Sequence, residues 1–245
     1  MIDFDYADAP VPVREEIRAA HRREWEKLAR AGCWWSGRER VAIAAAVRGA
    51  ASCSLCAERR GVVSPLALQG RHDHDGVLAD VAVEMVHQVT ADPGRLSRAW
   101  FDKVAADGLA PERYVEALGV IVVVVNIDGF CRGLGVPPPP LPEPVPGEPS
   151  RYRPAAAVPG VGFVPMIPAG HARGAEADLY HGPRAPNVLR AMSLVPEAVR
   201  SLHALSAVHY LTIREVPDPR ARRTLDRAQM ELLAGRVSAL SECFY

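Results

Sequence analysis

The sequence predicts an all-α protein. Apolar residues recur at helical spacing through most of the chain, and residues that start and stop helices bound those stretches. Only residues 120–125 (VIVVVV) have the composition of a buried strand, and no partner strand is evident elsewhere.

Each element follows in order. Val13, Ile17, His21, Trp25 and Leu28 fall on one helical face, and Gly32 supplies the stop. A second helix runs from about Gly37, with Val41, Ala44, Ala45 and Arg48 near one face, and residues 80–90 form a third. Asp92 reads as an N-cap with Pro93 at the first helical position, opening a helix that ends near Gly108. Pro111 opens the next helix through Val115 and Leu118. Because no turn signal interrupts it, residues 120–125 continue it as a fully buried helix. Residues 136–149 (VPPPPLPEPVPGEP) are neither helix nor central strand, since proline lacks the amide donor and fixes φ. A semi-rigid connector is expected there, and Gly/Pro-rich irregular chain extends it to residue 185. Beyond it, residues 186–194, 197–210 and 218–240 read as helices, punctuated by Pro196 and by Pro217 and Pro219. The expected organisation is a bundle over 1–135, a connector over 136–185 and a second helical unit over 186–245.

Composition narrows the function. Formal net charge is zero, with acidic and basic residues interleaved, so there is no basic footprint for nucleic acid. The first five residues carry two aspartates and no apolar run, and the longest apolar stretch is too short to span a bilayer. A cytoplasmic, membrane-free location is the default expectation. Five cysteines, an odd number, argue against a structural disulfide framework and leave redox chemistry or packing.

Cys53 and Cys56 form a Cys-x-x-Cys pair whose thiols, three residues apart, can share a helical turn and close a disulfide. The preceding Gly49, Ala50, Ala51 and Ser52 permit a helix break before them. A zinc site needs four ligands, and no second Cys-x-x-Cys or histidine pair stands at finger spacing. The pair therefore reads first as redox, with a metal half-site or packing as the alternatives. Glu84 and His87 share a helical face and suit either proton relay to a thiolate or metal ligation, or simply pair with each other. Asp128 and Cys131 share a face at the end of the valine-rich helix. His72, Asp73, His74 and Asp75, between Gly70 and Gly76, have metal-friendly chemistry but read first as a polar turn, and Trp34 and Trp35 read as an anchor between helices. His171, His181, His203 and His209 show no readable arrangement. Glu231 precedes Cys243 by twelve residues near the last position, Tyr245.

Residues 225–245 (LDRAQMELLAGRVSALSECFY) resemble the active-site helix of the alkylhydroperoxidase D-like / carboxymuconolactone decarboxylase superfamily. That family's pattern is a glutamate, a cysteine twelve residues on, a second cysteine three further and a histidine four beyond. Glu231 and Cys243 match the first two positions, and the sequence ends one residue before the third. A fragment boundary, a degenerate site and a selenocysteine codon read as a stop are the three explanations this leaves open. The first half is similar more loosely: Cys53 and Cys56 match the cysteine pair, while Val41 stands at the relay glutamate's position and Arg60 at the histidine's. Glu39 lies two residues early.

The resemblance implies an AhpD-like helical bundle, one complete unit and the first half of a second. It also implies a thiol-dependent, or selenol-dependent, peroxidase or disulfide oxidoreductase without metal or cofactor, using an external thiol or dithiol reductant. By that resemblance Cys56 attacks and Cys53 resolves, Glu231 relays protons and Cys243 resolves at the far end. Two other readings remain: a decarboxylase-like acid/base enzyme on a small molecule, and a non-catalytic scaffold in which half a bundle pairs with a second copy as a homo-oligomer.

Overall fold

The computed structural model describes residues 4–181, 185–241 and 243. The start of the acidic N-terminal stretch (1–3), the end of the expected connector (182–184) and the terminal residues 242, 244 and 245 lie outside the described residues. The helices are α1 (Glu15–Leu28), α2 (Gly37–Gly49), α3 (Ser54–Arg60), α4 (Asp80–Ala91), α5 (Arg98–Ala106), α6 (Pro111–Leu134), α7 (Asn187–Arg190), α8 (Pro196–His209) and α9 (Arg227–Leu240). Among the described residues the only β pairing is one isolated bridge, Val158 to Met166. The protein is all-α.

The valine-rich segment is the axis of the molecule. α6 packs against α2, α4, α8 and α1, burying Val115, Val120, Ile121, Val123, Val124 and Ile127. Helical propensity costs each β-branched residue roughly 0.5 kcal/mol relative to alanine. Full burial of such a side chain returns roughly 1.5–3 kcal/mol. Packing therefore overrides local preference, and the helix forms. Its burial is not complete, since Val125 is half exposed. By length and composition α6 would also suffice to cross a membrane, yet most of its apolar positions are buried against the rest of the protein and it carries the buried Glu116. Glu116 accepts from Arg40 Nη1 at 2.6 Å and from the Trp34 amide at 2.6 Å, so the charge is paired rather than stranded.

Several expectations are corrected. α2 buries Ala42, Ile43, Ala44, Ala46 and Val47, so of the expected face only Ala44 is buried, while Val41, Ala45 and Arg48 are not. Arg48 instead makes a two-pronged pair with Asp128 at 2.8 Å. Asp92 does not cap a long helix: its carboxylate takes Arg95 Nε at 2.6 Å, and Pro93 opens only a single 3-10 turn. Ser97 caps α5 by accepting from the Trp100 amide. α9 begins at Arg227 rather than 218, where Asp226 and Gln229 form a reciprocal capping box.

Residues 136–181 are not a free connector. The extended segment lies along α1, where Trp25 Nε1 donates to the Pro140 carbonyl at 2.9 Å and the Val145 amide donates to the Ala29 carbonyl at 2.7 Å. Ala157, Val164, Ile167, Leu179 and Tyr180 join the main core, as do Leu189, Leu194, Val195, Val199 and Leu205. The expected boundary therefore separates no cores: α7 and α8 complete the first bundle. α9 stands apart, with Leu232, Leu233, Val237 and Leu240 exposed.

Candidate functional site

The Cys-x-x-Cys pair sits at the break between α2 and α3. Cys53 is the N-cap residue of α3, its carbonyl accepting from the Ala57 amide, and Cys56 lies in the first turn. Both side chains are buried, as are His72 and His87. The stretch 68–79 folds back over α3. Gly70 permits that approach, because a Cβ there would stand 2.8 Å from Leu55 Cδ1. Asp73 clips the loop to α3 by accepting from the Ser54 amide at 3.2 Å. What reads as a polar turn in the sequence thus delivers His72 to the thiols.

Four donor atoms converge. His72 Nδ1 lies 3.4 Å from Cys53 Sγ and 3.5 Å from Cys56 Sγ, and His87 Nδ1 lies 3.4 Å from Cys56 Sγ. The two sulfurs and two imidazoles lie within 4.8 Å of one another. On the far side of His72, Nε2 donates to Glu84 Oε2 at 2.9 Å. Glu84 also accepts from Arg59 Nη1 at 2.9 and 3.0 Å and from Trp100 Nε1 at 3.2 Å. The carboxylate holds Nε2 as a donor and so turns Nδ1 toward the sulfurs.

The electrostatics follow from these contacts. Burial pushes the Cys53 thiol up, but bonds from the Asp73 and Cys56 amides and from His72 outweigh it and leave the thiol below its ordinary value. Burial works against a charged His72, yet its bonds to Cys56, Glu84 and Cys53 raise it to about 10. Burial opposes ionisation of Glu84 as well, and its bonds to His72, Arg59 and Trp100 pull it down to about 2. His87, desolvated and beside His72, falls to about 4 and is neutral at pH 7. A cleft of about 750 Å³ reaches His72, Glu84, Arg59 and Trp100 from outside, and neither cysteine lines it.

The remaining sequence candidates divide between this cluster and other parts of the fold. Glu84 and His87 do share the inner face of α4 and both reach the cluster. Glu231 is held by Tyr210 and by Arg227 Nε, the latter at 2.6 Å, on an exposed stretch of α9. Cys243 is exposed, its amide bonded to the Ser238 carbonyl. Among the described residues no hydrogen bond or ion pair joins Glu231 to Cys243 or either to the Cys53 cluster. Glu39 caps α2 through Ser36, and Asp128 is occupied by Arg48. Cys131 is buried against Tyr6. Trp35 is buried and donates to the Arg113 carbonyl at 2.9 Å, whereas Trp34 is half-buried. Arg59 is the position in this cluster that sequence reasoning passed over, and His72 is visible there only within a run read first as a polar turn. The four potential donors run Cys-x2-Cys-x15-His-x14-His, spread over a helix, a loop and a second helix, and match no finger spacing. No family model, no curated protein and no solved structure matches the chain.

Proposed function

We propose that the chain is a dithiol oxidoreductase that reduces small hydroperoxides through Cys53 and Cys56, on a helical scaffold of the alkylhydroperoxidase D-like kind. One observation carries the reading: both thiols lie within 3.5 Å of His72 Nδ1, whose other nitrogen is held by Glu84. The carboxylate–imidazole pair supplies the relay that Val41 and Arg60 do not. Cys56, which touches both imidazoles, passes its proton to His72 and attacks the distal peroxide oxygen as thiolate. The O–O bond breaks, the alkoxide leaves with a proton, and Cys56 becomes a sulfenic acid. Cys53 then attacks that sulfur and water departs, leaving a disulfide; an external thiol or dithiol returns two electrons.

Burial of both sulfurs favours small oxidants, and free thiols suit a reducing compartment such as the cytoplasm. Association of like chains belongs to the same reading, supported by the exposed leucines of α9. Light scattering that finds a monomer at every concentration removes that part alone.

The test follows peroxide consumption with dithiothreitol as reductant, together with a free-thiol count. Peroxide should remove two thiols per chain reversibly, and Cys56→Ser should abolish turnover. Consumption unchanged in both Cys53→Ser and Cys56→Ser rejects the proposal.

A further inference from the structure

We infer that Cys53, Cys56, His72 and His87 form a closed, tetrahedral site for one divalent metal ion, zinc by its ligand set. This goes beyond the dithiol reading, since it needs the four donors and no turnover. Around four-coordinate zinc, with Zn–S near 2.3 Å and Zn–N near 2.0–2.1 Å, neighbouring sulfur and nitrogen ligands stand about 3.6 Å apart. Here three of the four S···N separations are 3.4, 3.5 and 3.4 Å, and the fourth, Cys53 to His87, is within 4.8 Å. Two sulfurs and two imidazoles with mutual spacing under 4.8 Å match the S2N2 set that selects zinc over harder cations.

The surroundings are those of a metal-ligating histidine. Glu84 accepts from His72 Nε2 at 2.9 Å, orients the ring and aims Nδ1 at the sulfurs, where a bound ion would displace the Nδ1 proton. Arg59 in turn fixes Glu84. All four ligands are buried, and they come from α3, the 68–79 loop and α4. An ion there would tie these three segments together. Four protein ligands leave no open position, so the ion has a structural or protective role rather than a Lewis-acid one.

Metal and disulfide compete for the same sulfurs. One hydroperoxide and two protons convert two metal-bound thiolates to a disulfide. The two sulfurs lose two electrons, the O–O bond takes them up, and alcohol, water and the free ion are released. The reduced site is thus a metal store that peroxide empties.

The experiment titrates the reduced, metal-stripped full chain with Co²⁺, then displaces it with Zn²⁺. Expected are about one equivalent of cobalt per chain, a thiolate-to-cobalt charge-transfer band and the intense d–d bands of a tetrahedral site. Zinc should bleach both. His87→Ala and Cys56→Ser should weaken binding by well over tenfold, Glu84→Gln by roughly tenfold to a hundredfold, and His171→Ala not at all. Circular dichroism establishes that each variant is folded; should His87→Ala not fold, the stoichiometry and spectrum of the wild-type titration decide. Substoichiometric binding, an octahedral spectrum, or affinity unchanged in folded His87→Ala overturns the inference. Tight cobalt binding without peroxide consumption keeps the metal site and rejects the dithiol enzyme, and consumption without cobalt binding does the reverse.

Discussion

Glu84→Gln isolates the group on which the site's geometry depends. The carboxylate balances Arg59, whose side chain is 9% exposed against 24% for Glu84. Removing one partner of a fully buried pair costs about 3–5 kcal/mol, because the survivor is left charged and unpaired. Partial exposure of Glu84 lowers that, and the glutamine oxygen still accepts one bond, so about 2–3 kcal/mol is expected. For a chain of this length each kcal/mol moves Tm by about 2–4 °C, giving a fall of about 4–12 °C. Urea unfolding at neutral pH, with a chelator present to exclude metal linkage, measures it. Arg59→Met in the Glu84→Gln background removes the unpaired charge and should recover much of the loss, a coupling of about 1–2 kcal/mol. A Glu84→Gln protein within about 0.5 kcal/mol of wild type, or strictly additive single effects, would refute the claim that this pair anchors His72.

Gly119→Val tests whether α8 belongs to the first bundle: even a Cβ at Gly119 would stand 2.8 Å from Ala198 Cβ, so overpacking should cost about 1–3 kcal/mol in urea unfolding despite the gain in helix propensity. Asp226→Ala removes the α9 cap and should cost about 1 kcal/mol locally. It should appear as faster amide exchange in α9, with the main unfolding transition unmoved. Leu55→Ala, beneath the loop that carries His72, should destabilise by about 2–4 kcal/mol in the same unfolding assay and lower cobalt affinity with it.

Much of this fold is legible in the sequence because it rests on local rules. The periodicity of α1, the Pro111 start of α6 and the break before Cys53 each depend on residues within a turn or two. Errors occur where tertiary partners decide. Asp92 looks like a cap until Arg95, held in place by the Val62 and Arg59 carbonyls, takes its carboxylate, and the proline-rich strap looks like a connector until α1 takes its backbone groups. The site divides in the same way. The Cys53/Cys56 and Glu84/His87 pairs are visible because each lies within one turn. His72 is sixteen positions beyond Cys56 in a Gly-bounded loop, and only the closure of that loop over Leu55 reveals it.

The polar cluster around His21 yields a pH dependence of definite sign. His21 is fully buried, with Tyr6 Oη 2.5 Å from Nδ1 and His209 Nε2 2.7 Å from its own Nε2. Phe4 and Phe130 close the pocket edge-on, and among the described residues no carboxylate hydrogen-bonds to the ring. Burial, then the neighbouring His209, lowers His21 from 6.5 to about 3, and burial lowers His209 as well. The folded ring stays neutral while the unfolded ring takes up a proton near pH 6.5, so the unfolded state binds more protons between these values. The stability contributed by neutral His21 is fully present above pH 6.5 and is lost as pH falls toward 3. The steepest loss is about 1.4 kcal/mol per pH unit for one such group. His21→Gln keeps a polar side chain without the titration, so its urea midpoint should fall less between pH 7 and pH 4 than wild type does. Parallel losses in the two proteins would mean that His21 is protonated in the folded state and that its pocket does not exclude the charge.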